Sequence, residues 1–186
     1  TMQALATELA DGAIIVDTAS VKAPVQAWAD ELLPPRVTFV GTNPIVASDQ
    51  GGAAAARADL FERRTWAICP SPSTDERAVK TASDLAARLG AQPHFLDAAE
   101  HDGLTAAVEQ LPALASMALL TSAVSQPGWR EMRRLAGGQF ESSTRLVSID
   151  PHVFSDAMLL NAEQAVRWID GFIDNMAAWR DLLAAG

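Results

Sequence analysis

"TWAICPSPSTDERAVKTASDLAARLGAQPHF", Thr65 to Phe95, holds a strand, a helix and a second strand in succession. "TWAIC" is a short apolar run that stops at Pro70, as a buried strand does. "STDERAVKTASDLAARLG" then changes to helical spacing. Ser73 or Thr74 is placed to cap it, Asp75 and Glu76 suit the positive end of its dipole, and Gly90 stops it. "AQPHFLDAAE" returns to a short strand. A strand that recurs after a helix needs a crossover, so this stretch predicts a parallel α/β sheet.

The same alternation extends upstream. "MQALATELADG" has Met2, Leu5 and Leu9 at helical spacing and ends at Gly12, and "AIIVDTAS" follows as a buried strand. "VKAPVQAWADELLPP" is a helix with Pro24 near its start, and "RVTFVG" is another strand. That strand leads into "TNPIVASDQGG", a polar loop in which Asn43 stands before Pro44. Asparagine donates and accepts hydrogen bonds but takes up no proton near neutral pH, so it is either a site residue without base strength or a turn residue.

Downstream of about Glu100 the strand signal ends. "HDGLTAAVEQLPALASMALLTSAV" reads as one buried helix bent at Pro112, which has no amide to return to Val108. Glu109, Gln110 and Pro112 interrupt its apolar run and no basic cluster flanks it, which argues against a membrane span. "PGWREMRRLAGGQF" is a shorter helix stopped by Gly137 and Gly138. The last segment starts at an Asp150 cap and Pro151, with Val166, Ile169, Ile173, Met176 and Leu183 on one stripe. Trp129, Trp168 and Trp179 recur at apolar positions, where core or dimer packing accounts for them. The expected organisation is α/β over residues 1–98 followed by all-α over residues 99–186. A second copy of the chain is the simplest cover for the apolar helices.

Composition excludes several classes. A formal net charge of -9 and a pI near 4.7 oppose nucleic acid or an anionic membrane as the main partner. The single Cys69 cannot pair within the chain and reads as a small buried thiol. The opening segment lacks the basic start of a signal peptide, and Thr1 reads as falling partway through an element, so a longer parent chain is expected.

The order of the motifs is more specific than any one of them. "VDTASVKAPV", "RVTFVGTNPIVASDQGG", "ADLFERRTWAICPSP", "LDAAEHDGLTAAVEQLPAL" and "FESSTRLVSIDPHVFSDAMLLN" together resemble the prephenate and arogenate dehydrogenases of tyrosine biosynthesis. The resemblance covers nearly the whole chain. It implies a partial Rossmann-like parallel sheet followed by a helical dimerisation domain, and a cytoplasmic enzyme. The implied reaction passes hydride from a cyclohexadienyl carboxylic acid to NAD or NADP while carbon dioxide leaves.

The resemblance also implies site residues. The family's Gly-Ser-Val-Lys turn beside the nicotinamide is here Ala19-Ser20-Val21-Lys22, which assigns Ser20 and Lys22 to cofactor binding and Ser20 to a catalytic role as well. Its Gly-His-Pro loop is Thr42-Asn43-Pro44, so Asn43 replaces the histidine that polarises the substrate hydroxyl. Its Ser-His-Leu-Pro-His segment is Glu109-Gln110-Leu111-Pro112-Ala113, which puts Gln110 in place of a substrate contact. Thr144-Arg145 keeps the pair expected to bind substrate carboxylate. Each has a plainer alternative: Ser20 as a helix cap, Lys22 as a solvated helix residue, and Arg145 in a loop with a salt bridge to Asp150. His101 matches the family's Glu-His-Asp and reads as structural. His94 reads as a surface residue and His152 as part of a helix's first turn.

No G-x-G-x-x-G occurs, and the Gly51-Gly52 and Gly137-Gly138 pairs stand in the wrong context, so this chain alone is expected to bind a dinucleotide poorly. No metal-ligand spacing is present. Two functions follow: a dehydrogenase-family enzyme weakened or redirected by loss of its histidines, or a non-catalytic dimer that keeps an acid pocket around Arg145.

Overall fold

The computed structural model describes residues 2–46, 52–148 and 151–186. The chain divides into two compact units, Thr1–Asp102 and Gly103–Gly186.

In the first unit, β1 (Ile14–Val16), β2 (Thr38–Pro44), β3 (Thr65–Cys69) and β4 (Gln92–Phe95) form one sheet in the order β1-β2-β3-β4. β1 pairs with β2 in parallel, Ile14 opposite Thr38, and β3 pairs with β4 in parallel, Thr65 opposite Gln92. The α/β class holds, with one correction to the wholly parallel sheet: β2 and β3 are antiparallel, Gly41 opposite Cys69 and Pro44 opposite Trp66. The reason lies in the connection between them. Its described part holds a 3-10 turn, Ala53–Ala55, and no crossover helix, so β3 returns alongside β2 in the opposite sense.

Helix α3 (Glu76–Arg88) covers the sheet with Ala78, Ala82 and Ala86, spaced by one turn and all buried. Such small side chains let the helix approach Val40, Trp66 and Ile68 closely, with Ile14, Val16 and Phe61 at the margin. Its cap is Asp75, one residue past the two expected, and the Asp75 carboxylate accepts from the amides of Arg77 and Ala78. Helix α1 stops early, at Met2–Leu5, and the Arg36 guanidinium takes the carbonyls of Ala6 and Leu9 that follow it. Helix α2 spans Ala23–Leu32.

In the second unit, α4 (Ala98–Thr105, which begins in the first), a π segment (Ala106–Gln110) and α5 (Leu111–Val124) follow without a break. The Leu111 amide reaches back five residues to the Ala106 carbonyl, one residue before Pro112. The expected bend is thus a π segment that absorbs the missing proline amide. The span Ala98–Val124 is long and apolar enough to cross a membrane by length and composition alone. Within the single chain Ala106, Gln110, Ala113 and Ser116 of this run are buried, and Val108 and Leu119 are among its exposed apolar residues.

Three further expectations change. Gly138 opens α7 (Gly138–Thr144) instead of closing α6 (Trp129–Leu135). Arg145 lies in a 3-10 turn, Arg145–Ser148, that continues α7, and not in an open loop. The terminal helix is two, α8 (Pro151–Leu160) and α9 (Ala162–Ala185), separated at Asn161. The Asp150 cap and the His152 side chain lie outside the described residues.

Candidate functional site

Asp17 follows β1 and gathers donors from three directions. Its carboxylate accepts from the Thr42 amide at 2.7 Å, from the Ala19 amide at 3.1 Å, and from the Lys22 ammonium. Lys22 Nζ also donates to the Thr42 carbonyl at 2.6 Å, and the residue is 1% exposed. The solvated reading of Lys22 is therefore wrong. Burial pushes its pKa down, and the Asp17 carboxylate beside it opposes that shift. Gly41 makes room for this arrangement: a Cβ there would meet the Cys69 carbonyl at 3.2 Å and Lys22 Cδ at 3.7 Å.

Cys69 is fully buried, and burial pushes its thiol up to about 12 despite the Lys22 charge. Between about pH 9 and about pH 12 only the folded state keeps the thiol neutral, so the stabilising contribution is complete below the unfolded pKa of about 9. That contribution is lost as pH rises through about 12. At about pH 8 the folded chain should react with iodoacetamide about 10³-fold more slowly than the unfolded chain, following the thiolate fraction. Equal alkylation rates would show an accessible, ionised sulfur.

The second half of the cluster runs through Asn43. It is the penultimate residue of β2, opposite Ala67, and 5% exposed. Pro44 does not end the strand early, because β1 pairing stops at Val40 and the missing proline amide faces that uncovered side. Asn43 is thus not a turn residue. Its Nδ2 lies 3.1 Å from His101 Nε2, and His101 Nδ1 lies 2.9 Å from Asp102 Oδ1. Asp102 also accepts from the amides of Lys22 at 2.7 Å and Ala23 at 2.8 Å. A carboxylate distant in sequence caps α2, which displaces Ser20 from that role. The Ser20 hydroxyl is half-buried and makes no hydrogen bond among the described residues.

Asn43 and Lys22 therefore fall in one buried network, joined through Thr42, Asp17, Asp102 and His101. Sequence reasoning missed Asp17 and Asp102. Their only signal was an acid directly after a buried strand and an acid directly after a histidine.

Gln110 and Arg145 belong to the helical unit. Gln110 is buried: its Oε1 accepts from Asn161 Nδ2 at 3.0 Å and its Nε2 donates to the Ala157 carbonyl at 3.4 Å. Its amide thus ties the π segment to the junction of α8 and α9. Arg145 is exposed, and Asp150, its suggested partner, lies outside the described residues. No group of three or more His, Cys, Asp or Glu that could hold a metal occurs among the described residues.

Residues 1–94 match the family model for "Prephenate dehydrogenase, nucleotide-binding domain", and residues 97–186 match "Prephenate dehydrogenase, dimerization domain". The chain is 32% identical to the prephenate dehydrogenase of Bacillus subtilis over 163 residues, 86% of this chain and 43% of that protein. It is 27% identical to the cyclohexadienyl dehydrogenase of Zymomonas mobilis, over 98% of this chain and 62% of the relative. The crystal structure of prephenate dehydrogenase from A. aeolicus in complex with hydroxyphenyl propionate and NAD+ superposes with a TM-score of 0.92 at 24% identity. It covers 99% of this chain, which spans 64% of that one. Synechocystis arogenate dehydrogenase superposes with a TM-score of 0.86 at 21% identity, covering 99% of this chain and 66% of its own. At these identities the superpositions speak for the fold, and the chain spans about half the length of the curated relatives it matches.

Proposed function

The chain belongs to the prephenate dehydrogenase family, and from this premise we propose that it forms the substrate side of an NAD(P)-dependent oxidative decarboxylation of a cyclohexadienyl acid, with a weakened proton step. The observation that carries this reading is the buried chain Asp102, His101, Asn43, which presents a fixed polar group where the family supplies a histidine. Asn43 orients the substrate hydroxyl by hydrogen bonding. It cannot take the proton, which lowers the rate on the order of 10²–10⁴-fold. Arg145 pairs with a substrate carboxylate. Lys22, held by Asp17, fixes the turn carrying Ser20, the residue that would lie against the nicotinamide. When bound, the nicotinamide accepts the hydride.

The test is oxidation of prephenate and of arogenate, with NAD and with NADP, by this chain joined to the glycine-rich segment of a longer relative. Slow, saturable turnover is expected. Its absence from a folded, cofactor-binding protein would favour a second reading, a non-catalytic dimer that binds an acid. The engagement of both ends of the Gln110 amide by protein partners is what recommends that second reading.

Two further outcomes follow. Residues 1–186 alone should show no saturable NAD or NADP binding, because no glycine-rich turn cradles the pyrophosphate. A micromolar dissociation constant by calorimetry would overturn this. The chain should also be a dimer through its helical unit, since Val108, Val166, Ile173, Met176 and Leu183 are all more than half exposed in the single chain. Light scattering at low micromolar concentration should give twice the chain mass, and Ile173→Asp with Met176→Asp should halve it. A monodisperse wild-type monomer would end the idea.

A further inference from the structure

The network around Asn43 dictates which way its amide faces. The Asp102 carboxylate only accepts, and it sits 2.9 Å from His101 Nδ1. It also accepts from two helix amides, Lys22 at 2.7 Å and Ala23 at 2.8 Å, which fix it in place. The single ring proton of a neutral imidazole is therefore drawn to Nδ1. That leaves Nε2 with a lone pair 3.1 Å from the Asn43 amide, and a lone pair calls for a donor. The NH₂ end of Asn43 must turn to His101, and the carbonyl end, Oδ1, must turn the other way.

We propose that His101 and Asp102 are positioning residues that orient the Asn43 amide with Oδ1 outward, so that position 43 accepts a hydrogen bond from a ligand hydroxyl and discriminates against ligands lacking that donor. This deepens the proposed function and rests on it for the identity of the ligand, but the orientation itself rests only on the geometry. The consequence is a preference for the hydroxyl-bearing state of a ring substituent over its carbonyl state or a halogen. A site whose buried acceptor goes unpaired rejects the analogue strongly. The same atom that selects the hydroxyl cannot remove its proton, so selection and chemistry are uncoupled in this chain.

The test has two arms. Heteronuclear NMR of the imidazole nitrogens, with His101 assigned by its loss in His101→Gln, reads the tautomer without any ligand. Protonated Nδ1 and unprotonated Nε2 are expected, and the opposite tautomer overturns the proposal. Calorimetry then compares para-hydroxyphenylpropionate with its near-isosteric para-fluoro analogue. The hydroxyl acid should bind at least about ten-fold tighter to the wild-type chain. His101→Phe should reduce that ratio to below about two-fold, while His101→Gln, whose Oε1 can accept from Asn43, should restore most of it. Equal affinities in the wild type, or an undiminished ratio in a folded His101→Phe, overturn the proposal. If neither acid binds while the tautomer is as expected, the proposed activity fails and the assigned orientation stands.

Discussion

Replacing Asn43 by His should raise turnover of prephenate or arogenate ten-fold or more in a chain that also carries the family's glycine-rich segment. That is a conservative share of the roughly 10²–10⁴-fold that general base catalysis contributes. The structure supplies a reason beyond restoring a base. His101 Nε2, with its lone pair directed at position 43, would accept an N–H from the new imidazole just as it accepts one from the amide. The new ring's other nitrogen would then be the unprotonated one, aimed at the substrate hydroxyl. The supporting partner at hand is His101, whose Nε2 lies 3.1 Å from the Asn43 amide nitrogen. The measurement is kcat/KM with each substrate, beside circular dichroism to show that the larger side chain is accommodated in this buried position. A folded variant with unchanged turnover would mean that position 43 does not face the reacting hydroxyl.

The second large effect is on stability. Asp102→Ala should cost about 3–5 kcal/mol, because a buried carboxylate is removed from three donors that remain behind. Those donors are the amides of Lys22 and Ala23 and the His101 ring. For a chain of this size that corresponds to a fall in Tm of about 6–20 °C. Asp102→Asn should cost less, since its amide oxygen can still accept from the helix. A Tm change of under about 2 °C for Asp102→Ala would show that solvent replaces the carboxylate without penalty.

The α/β half was legible because its elements announce themselves locally: "TWAIC" and "AQPHF" as strands, and "ERAVKTASDLAAR" as a helix with alanines at one-turn spacing. The sense of β3 against β2 was not read, although its cue was present, since no helical period separates the two strands. Asn43 was misread as a possible turn residue because asparagine before proline signals a turn, whereas the side on which a strand's proline lacks its amide depends on where the neighbouring strand ends. The polar network was illegible in principle. Its defining bonds join residues 80 and 58 positions apart, and no local pattern reports such pairs. The helical half was read to the right class but the wrong breaks: Gly138 opens a helix instead of closing one, and Asn161 separates α8 from α9 while bonded to Gln110, a partner that periodicity does not see.

The cap of α2 carries a consequence for synthesis. A nascent chain emerges at about 5–20 residues per second, so the amides of Lys22 and Ala23 wait roughly 4–16 s before Asp102 has been made. Over that interval the first turn of α2 is without its acceptor, although the Asp17 and Thr42 partners of the Lys22 ammonium are made before Asp102 is. A chain ending shortly after β4, at Asp97, and released from the ribosome would therefore hold all four strands with an open helix end, which limited proteolysis would detect as cleavage near residue 22. The family models change over between residues 94 and 97, yet the residue that closes the first unit lies within the stretch matched by the second. Here the boundary between sequence families precedes the point at which the first unit can finish folding.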